Sequence, residues 1–168
     1  AGREVTLQEH LQDTANAARL IFDSESRVGR NFRRAFKLDE TESEVFMINL
    51  VVACLFHDIG KANEGFARAI DGKKQAQVIR HEHLSALVLQ LPEIQCWLTG
   101  NSGIRQPIVL AAVLSHHLKA EYRKIGVTPT GCSDKVCELF FGDAQVQTIL
   151  SEISKVAGLG PAPILSCY

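Results

Sequence analysis

Six histidines are spread along the 168 residues, at His10, His57, His81, His83, His116 and His117, and two of these positions form doublets. His57 is followed by Asp58 in "LFHDIGKAN", and His116 by His117 in "LSHH". Neutral imidazole is the commonest protein ligand for divalent transition metals, and a metal site needs such ligands from several elements converging in one place. One histidine taken singly is ordinarily a surface residue or a hydrogen-bonded core residue. Two doublets, with nearly every other histidine on a neighbouring helix, would be a coincidence without a shared task, so the set reads as metal ligands. Lys61 follows Asp58 by three residues and can bring a cation into the same cleft, where it would offset charge on a phosphate. Its alternative role is that of an ordinary surface lysine. Gly60 is expected to let the chain turn sharply between them.

The elements that must carry these residues are helices. Helical periodicity dominates and alternation of apolar with polar residues is scarce, so the expected fold class is all-α. Helices are expected over 6–24, 28–37, 42–57, 63–70, 75–90, 92–98, 105–118, 134–141 and 144–156. Thr6 and Glu9 are spaced as a capping box for the first, whose stripe is Leu7, Leu11, Ala15, Ala18 and Phe22 and whose first turns carry His10. Thr41 is the expected cap of the third, which is apolar nearly all round and therefore central. Its end takes Leu55 and Phe56 into the core and leaves His57 and Asp58 at the edge, the way a helical bundle presents ligands at the mouth of its core. Pro107 falls in a first turn, where proline is tolerated. On a helix His81 and His83 point about 200° apart, so they cannot easily serve one site. The stretch 122–133 reads as a loop and the tail from 158 as irregular.

Length and 46% hydrophobic content fit one globular domain spanning 1–168 with a sizeable core. Ala1 stands where an initiating methionine would, as in a piece excised from a longer protein. A net charge of -1 provides no global attraction to nucleic acid or anionic membrane, so such binding would need a local patch. "RVGRNFRRAFK" offers one, with Arg27, Arg30, Arg33, Arg34 and Lys37 at helical spacing around Phe32 and Phe36. The other reading of that stretch is a solvated helix face with two phenylalanines in the core. Lys119, Tyr122, Arg123 and Lys124 form a second, smaller group. The uninterrupted apolar runs at 50–56 and 108–114 fall short of a membrane span, and a soluble, cytoplasmic protein without a membrane partner is expected. Cys54, Cys96, Cys132, Cys137 and Cys167 are odd in number and lack a CxxC pair, which favours reduced thiols.

"LFHDIGK" resembles the signature of the HD superfamily of metal-dependent phosphohydrolases. The order "HLQDTA", "LFHDIGKAN", "RHEHLSA", "LSHH", over residues 10–117, is more specific. It resembles the HD nuclease domain of type I CRISPR systems, which is fused to or accompanies the interference helicase. The resemblance implies an HD-domain helical bundle with its metal site at the mouth of the core. It also implies metal ligands at His10, His57, Asp58, His81, His116 and His117, with Asp58 and Lys61 catalytic. Asp58 would bridge two ions, with His10 and His57 on one side and His81, His116 and His117 on the other. His83 matches no ligand of that family and is expected to be a surface or supporting residue, and Glu82 to brace the helix or a neighbour.

A histidine-rich set favours Mn²⁺, Ni²⁺, Co²⁺ or Fe²⁺ over Mg²⁺, without excluding the latter. Paired ions of this kind activate water and stabilise a phosphodiester under attack. The implied activity is cleavage of single-stranded DNA during CRISPR interference, with the helicase and the RNA-guided surveillance complex as partners. One family feature has no match here, an aspartate on a later helix. Either Asp134 or Asp143 takes its place or it lies beyond Tyr168. Two other functions fit the same residues: an HD phosphohydrolase acting on nucleotides or cyclic nucleotides, and a non-catalytic scaffold that binds metal or nucleic acid.

Overall fold

The computed structural model describes residues 5–63, 79–117 and 139–165. Among them the fold is all-helical: α1 (Leu7–Phe22), α2 (Arg27–Phe36), α3 (Glu40–Phe56), a single 3₁₀ turn (Ile59–Lys61), α4 (His81–Leu89), α5 (Pro92–Leu98), α6 (Gln106–Ser115) and α7 (Ala144–Ala157). The only extended pairing among the described residues is an isolated antiparallel bridge between Asn63 and Leu139.

α3 is the central element. It packs against α1, α6 and α7, while the 3₁₀ turn that follows it packs against α4. Val51, Val52, Leu55 and Phe56 of α3 meet Leu11 and Ala15 of α1, Val109 and Val113 of α6, and Ile149, Leu150 and Ile153 of α7 in one core, all essentially inaccessible. α7 shows why its sequence folds as it does. Val146, Ile149, Leu150, Ile153 and Ala157 recur at helical spacing and are all buried, Asp143 caps the start, and Gly158 ends the helix at φ +58. The stretch from Glu40 to Lys61 is long and apolar enough to cross a membrane by length and composition, although its longest apolar runs fall short of a span. Half of that window is buried inside this bundle, as in the core helix of a globular domain.

Several boundaries differ from the sequence expectation. α3 is capped by Asp39, two residues ahead of Thr41, because Asp39 and Glu42 form a reciprocal capping box. The helix expected from 75 begins at His81 instead, because Arg80 is extended at ψ 142 and Ile79 lies in a bend. α6 stops at Ser115. The expected helix over 134–141 does not include its last residues, since Leu139 is extended and pairs with Asn63. The expected helix over 63–70 and loop over 122–133, together with Asp134, Lys119, Tyr122, Arg123, Lys124 and the three later cysteines, lie wholly or almost wholly outside the described residues. Within them Cys54 and Cys96 are free thiols.

Candidate metal centre

Four helix ends bring the histidines together. The capping box of Thr6 and Glu9 fixes the start of α1, and buried Leu11 anchors the residue after His10. The Gln8 N–H donates to Gln145 Oε1 at 3.4 Å, tying that first turn to α7. His57 and His116 are the C-cap residues of α3 and α6. His81 opens α4, and His117 follows directly after His116.

The two C-cap histidines share a device. His57 Nδ1 lies 2.7 Å from the Cys54 carbonyl oxygen, and His116 Nδ1 lies 2.6 Å from that of Val113. A carbonyl only accepts, so each Nδ1 carries the proton and donates it to a helix-end carbonyl that has no intrahelical partner. Each Nε2 then presents a lone pair to the space between the helices, the orientation that metal-ligating histidines need.

Asp58 lies in the middle of that space. The sequence placed it at the edge of the core. In the structure it is 3% exposed, beneath the imidazoles. Its Oδ2 is 3.0 Å from His10 Nε2, 3.2 Å from His57 Nε2 and 2.6 Å from Lys61 Nζ. Its Oδ1 is 3.0 Å from His81 Nε2 and 3.4 Å from His116 Nε2. Burial by itself pushes the Asp58 carboxyl up, but the contacts from His57, His81 and Lys61 outweigh it and hold the group far below the usual carboxylate range. The site therefore contains a permanent anion. Burial and the neighbouring His116 and His81 push the His117 imidazole down, toward the neutral form that can act as a ligand.

Two groups of ligand atoms result, and they share Asp58. One consists of His10, His57 and Asp58, the other of Asp58, His81, His116 and His117, with all atoms within 4.8 Å of one another in each. Imidazole nitrogens face each other at 2.8 Å between His81 and His117 and at 3.2 Å between His10 and His57. Buried His116 Nε2 and Asp58 Oδ1 have no hydrogen-bond partner of acceptable geometry. Clustered lone pairs around a buried carboxylate, with orphaned acceptors among them, fit a divalent cation. The six expected ligands thus converge. His83, two residues from His81 on α4, joins neither group.

Glu82 is also buried. It pairs with Arg80, and its free oxygen lies 3.7 Å from His81 Nδ1. Burial would raise its carboxyl, yet its own backbone N–H and the charges of His81, Arg80 and His117 keep it low. Asp143, a candidate for the unmatched aspartate, spends one carboxylate oxygen on the Gln145 N–H as the cap of α7 and belongs to neither ligand group.

Three further residues position the centre. The Gly60 N–H donates to buried Ser85 Oγ at 2.9 Å. A Cβ on Gly60 would lie 2.3 Å from the His81 carbonyl oxygen and 2.6 Å from Ser85 N. Contrary to the expectation of a sharp glycine turn, Gly60 does not have a positive φ; what requires glycine is the backbone contact between the Asp58 turn and the His81 helix. Asn49 is buried in the apolar run of α3. It donates to the carbonyls of Val45 and Gly103 at 2.7 and 2.8 Å and accepts from the Arg105 N–H at 2.6 Å, fixing the start of the helix that ends in His116. A lone asparagine in "MINLVVACLF" was the available signal for this role.

The basic face of α2 is partly occupied in joining helices. Arg30 donates to the Glu25 carbonyl and Arg33 to that of Ser24 at 2.6 Å. Phe32 packs against Phe22, Phe36 and Phe46, with ring centroids 4.5 to 5.2 Å apart, while Phe36 remains largely exposed.

A family model described as Cas3, HD domain, matches residues 2–148. The chain belongs to the Cas3 HD-domain family. That family consists of CRISPR-associated HD nuclease domains, whose HD sites bind divalent metals. No curated protein and no solved structure matches the chain. The histidine and aspartate cluster of this Cas3 HD domain lies wholly within the matched span.

Proposed function

We propose that this HD domain is a metal-dependent nuclease that cleaves single-stranded DNA during CRISPR interference, in the cytoplasm. It would act beside a helicase, fused or separate, and an RNA-guided surveillance complex. The observation that carries the reading is one buried carboxylate shared by two histidine groups within a chain of this family. Two divalent ions held there, with Mn²⁺, Ni²⁺, Co²⁺ or Fe²⁺ favoured by the imidazoles, would supply Lewis acidity toward water and the phosphodiester.

The chain's own residues have separable tasks. Asp58 provides the charge that draws cations between the histidine groups. His57 and His116 are held rigid by their Nδ1 bonds, so their Nε2 atoms are preorganised. Lys61 sits 2.6 Å from Asp58 Oδ2 and lines the adjacent cleft together with His10, where an ammonium can stabilise charge gathering on a phosphate. His10, with a side chain 44% exposed, lines that cleft, from which a strand would enter.

The direct test is cleavage of labelled single-stranded DNA by metal-stripped protein re-supplied in turn with Mn²⁺, Co²⁺, Ni²⁺ and Mg²⁺. Cutting that depends on metal and vanishes in Asp58→Asn is the expected result. A domain inert toward DNA with every metal, yet active on nucleotides, would replace this reading with a nucleotide phosphohydrolase.

A further inference from the structure

We infer that the cleft beside His10 and Lys61 seats one unpaired nucleobase of the strand being cut, stacked on Phe140. The inference rests on the nuclease reading and specifies where the nucleoside flanking the scissile phosphate goes. The cleft has a volume of about 460 Å³ and shares His10 and Lys61 with the metal centre. Small-molecule pockets run from about 300 to 1,000 Å³, so this one has room for a single nucleoside. A base could enter only after leaving its partner strand.

Two large apolar side chains are exposed on its wall, Phe140 at 37% and Val5 at 53%. Phe140 is placed by the chain that carries the catalytic turn. Its N–H donates to the Ala62 carbonyl at 2.9 Å, and Leu139 pairs with Asn63 in the isolated bridge. The aromatic ring is therefore held by backbone paired with the residues that directly follow Lys61. A phosphate at Lys61 would carry its attached base toward that ring, and every base has a π-face for an aromatic side chain to stack on.

The polar lining suits a base better than a second phosphate. Gln145 Oε1 already accepts from the Gln8 N–H, which leaves the amide NH₂ as a donor. Asp143 Oδ1 accepts from the Gln145 N–H, which leaves Oδ2 as an acceptor. Both residues line the cleft. A donor and a carboxylate acceptor complement a base edge, and the carboxylate repels phosphate.

The experiment uses the whole chain and a single-stranded oligodeoxynucleotide carrying one aminopurine, with metal chelated so that nothing is cut. Wild type should quench the aminopurine fluorescence on binding. Phe140→Ala should weaken binding by about five- to hundredfold and abolish the quenching, with Phe140→Trp restoring both and Phe140→Leu restoring neither. An unchanged thermal midpoint in Phe140→Ala would exclude misfolding as the cause. Absence of quenching in wild type, or a Phe140→Ala protein that binds and quenches like wild type, overturns the assignment even if cleavage is intact. Aminopurine mononucleotide binding as tightly as the oligonucleotide would also overturn it, in favour of a free-nucleotide site. Quenching that follows Phe140 while no metal supports cutting would leave the base site standing and remove the nuclease.

Discussion

His57 and His116 close two different helices with the same contact, an Nδ1–H given to a carbonyl three residues earlier. Each bond caps a helix end and fixes a tautomer at once, so stability and ligand orientation share one interaction. Asp58 is the residue on which both histidine groups depend. Asp58→Asn keeps the shape and removes the charge, and we expect DNA cleavage to fall more than about a hundredfold while circular dichroism stays that of a folded helical protein. His81 and His83 provide an internal control, because only His81 points at Asp58. His81→Ala should lose cleavage and His83→Ala should retain most of it; the opposite pattern would assign the ligand to the wrong histidine of the pair.

Two contacts between elements determine whether those side chains meet. The 3₁₀ turn and α4 touch through backbone at Gly60, and Ser85 satisfies the buried Gly60 N–H. Ser85→Ala leaves that N–H unpaired and should cost about 1 to 3 kcal/mol in urea unfolding, with weakened metal affinity by calorimetry. Gly60→Ala should be worse, since the new methyl meets the His81 carbonyl oxygen and forces apart the elements bearing Asp58 and His81. Asn49 performs the corresponding task between α3 and the start of α6. Asn49→Ala removes three hydrogen bonds and should destabilise by about 2 to 4 kcal/mol, read as a lowered urea midpoint.

For the molecule as a whole, metal binding and folding should be linked. The candidate ligands come from α1, the α3 end, α4 and the α6 end, which converge only when the core of α1, α3, α6 and α7 is assembled. An ion bound at about a hundred times its dissociation constant adds about 2.7 kcal/mol to the folded state. For a chain of this size that is a rise of about 5 to 11 °C in thermal midpoint. The rise should appear with Mn²⁺ or Ni²⁺, disappear with chelator and be absent in Asp58→Asn. A midpoint indifferent to metal would remove the ions from the centre, whatever happens to DNA.

The amino-acid sequence by itself determined the all-α class, the capping box of α1 and the central place of α3 through apolar periodicity, and the order of four short motifs singled out His10, His57, Asp58, His81, His116 and His117, which the structure brings together. These are local properties, legible wherever spacing and residue type suffice. Where a contact crosses between elements, the sequence was silent or wrong. The burial of Asp58 and the backbone contact at Gly60 were decided by which surfaces come together, whereas the cap at Asp39 is a local pairing with Glu42 that the expectation of Thr41 missed. Phe140 is the extreme case, expected in a helix and found beside Lys61 because a bridge of extended backbone joins two segments far apart in the chain. Side-chain type and local spacing can be read along one dimension; the distance between Phe140 and Lys61 exists only after the chain has folded.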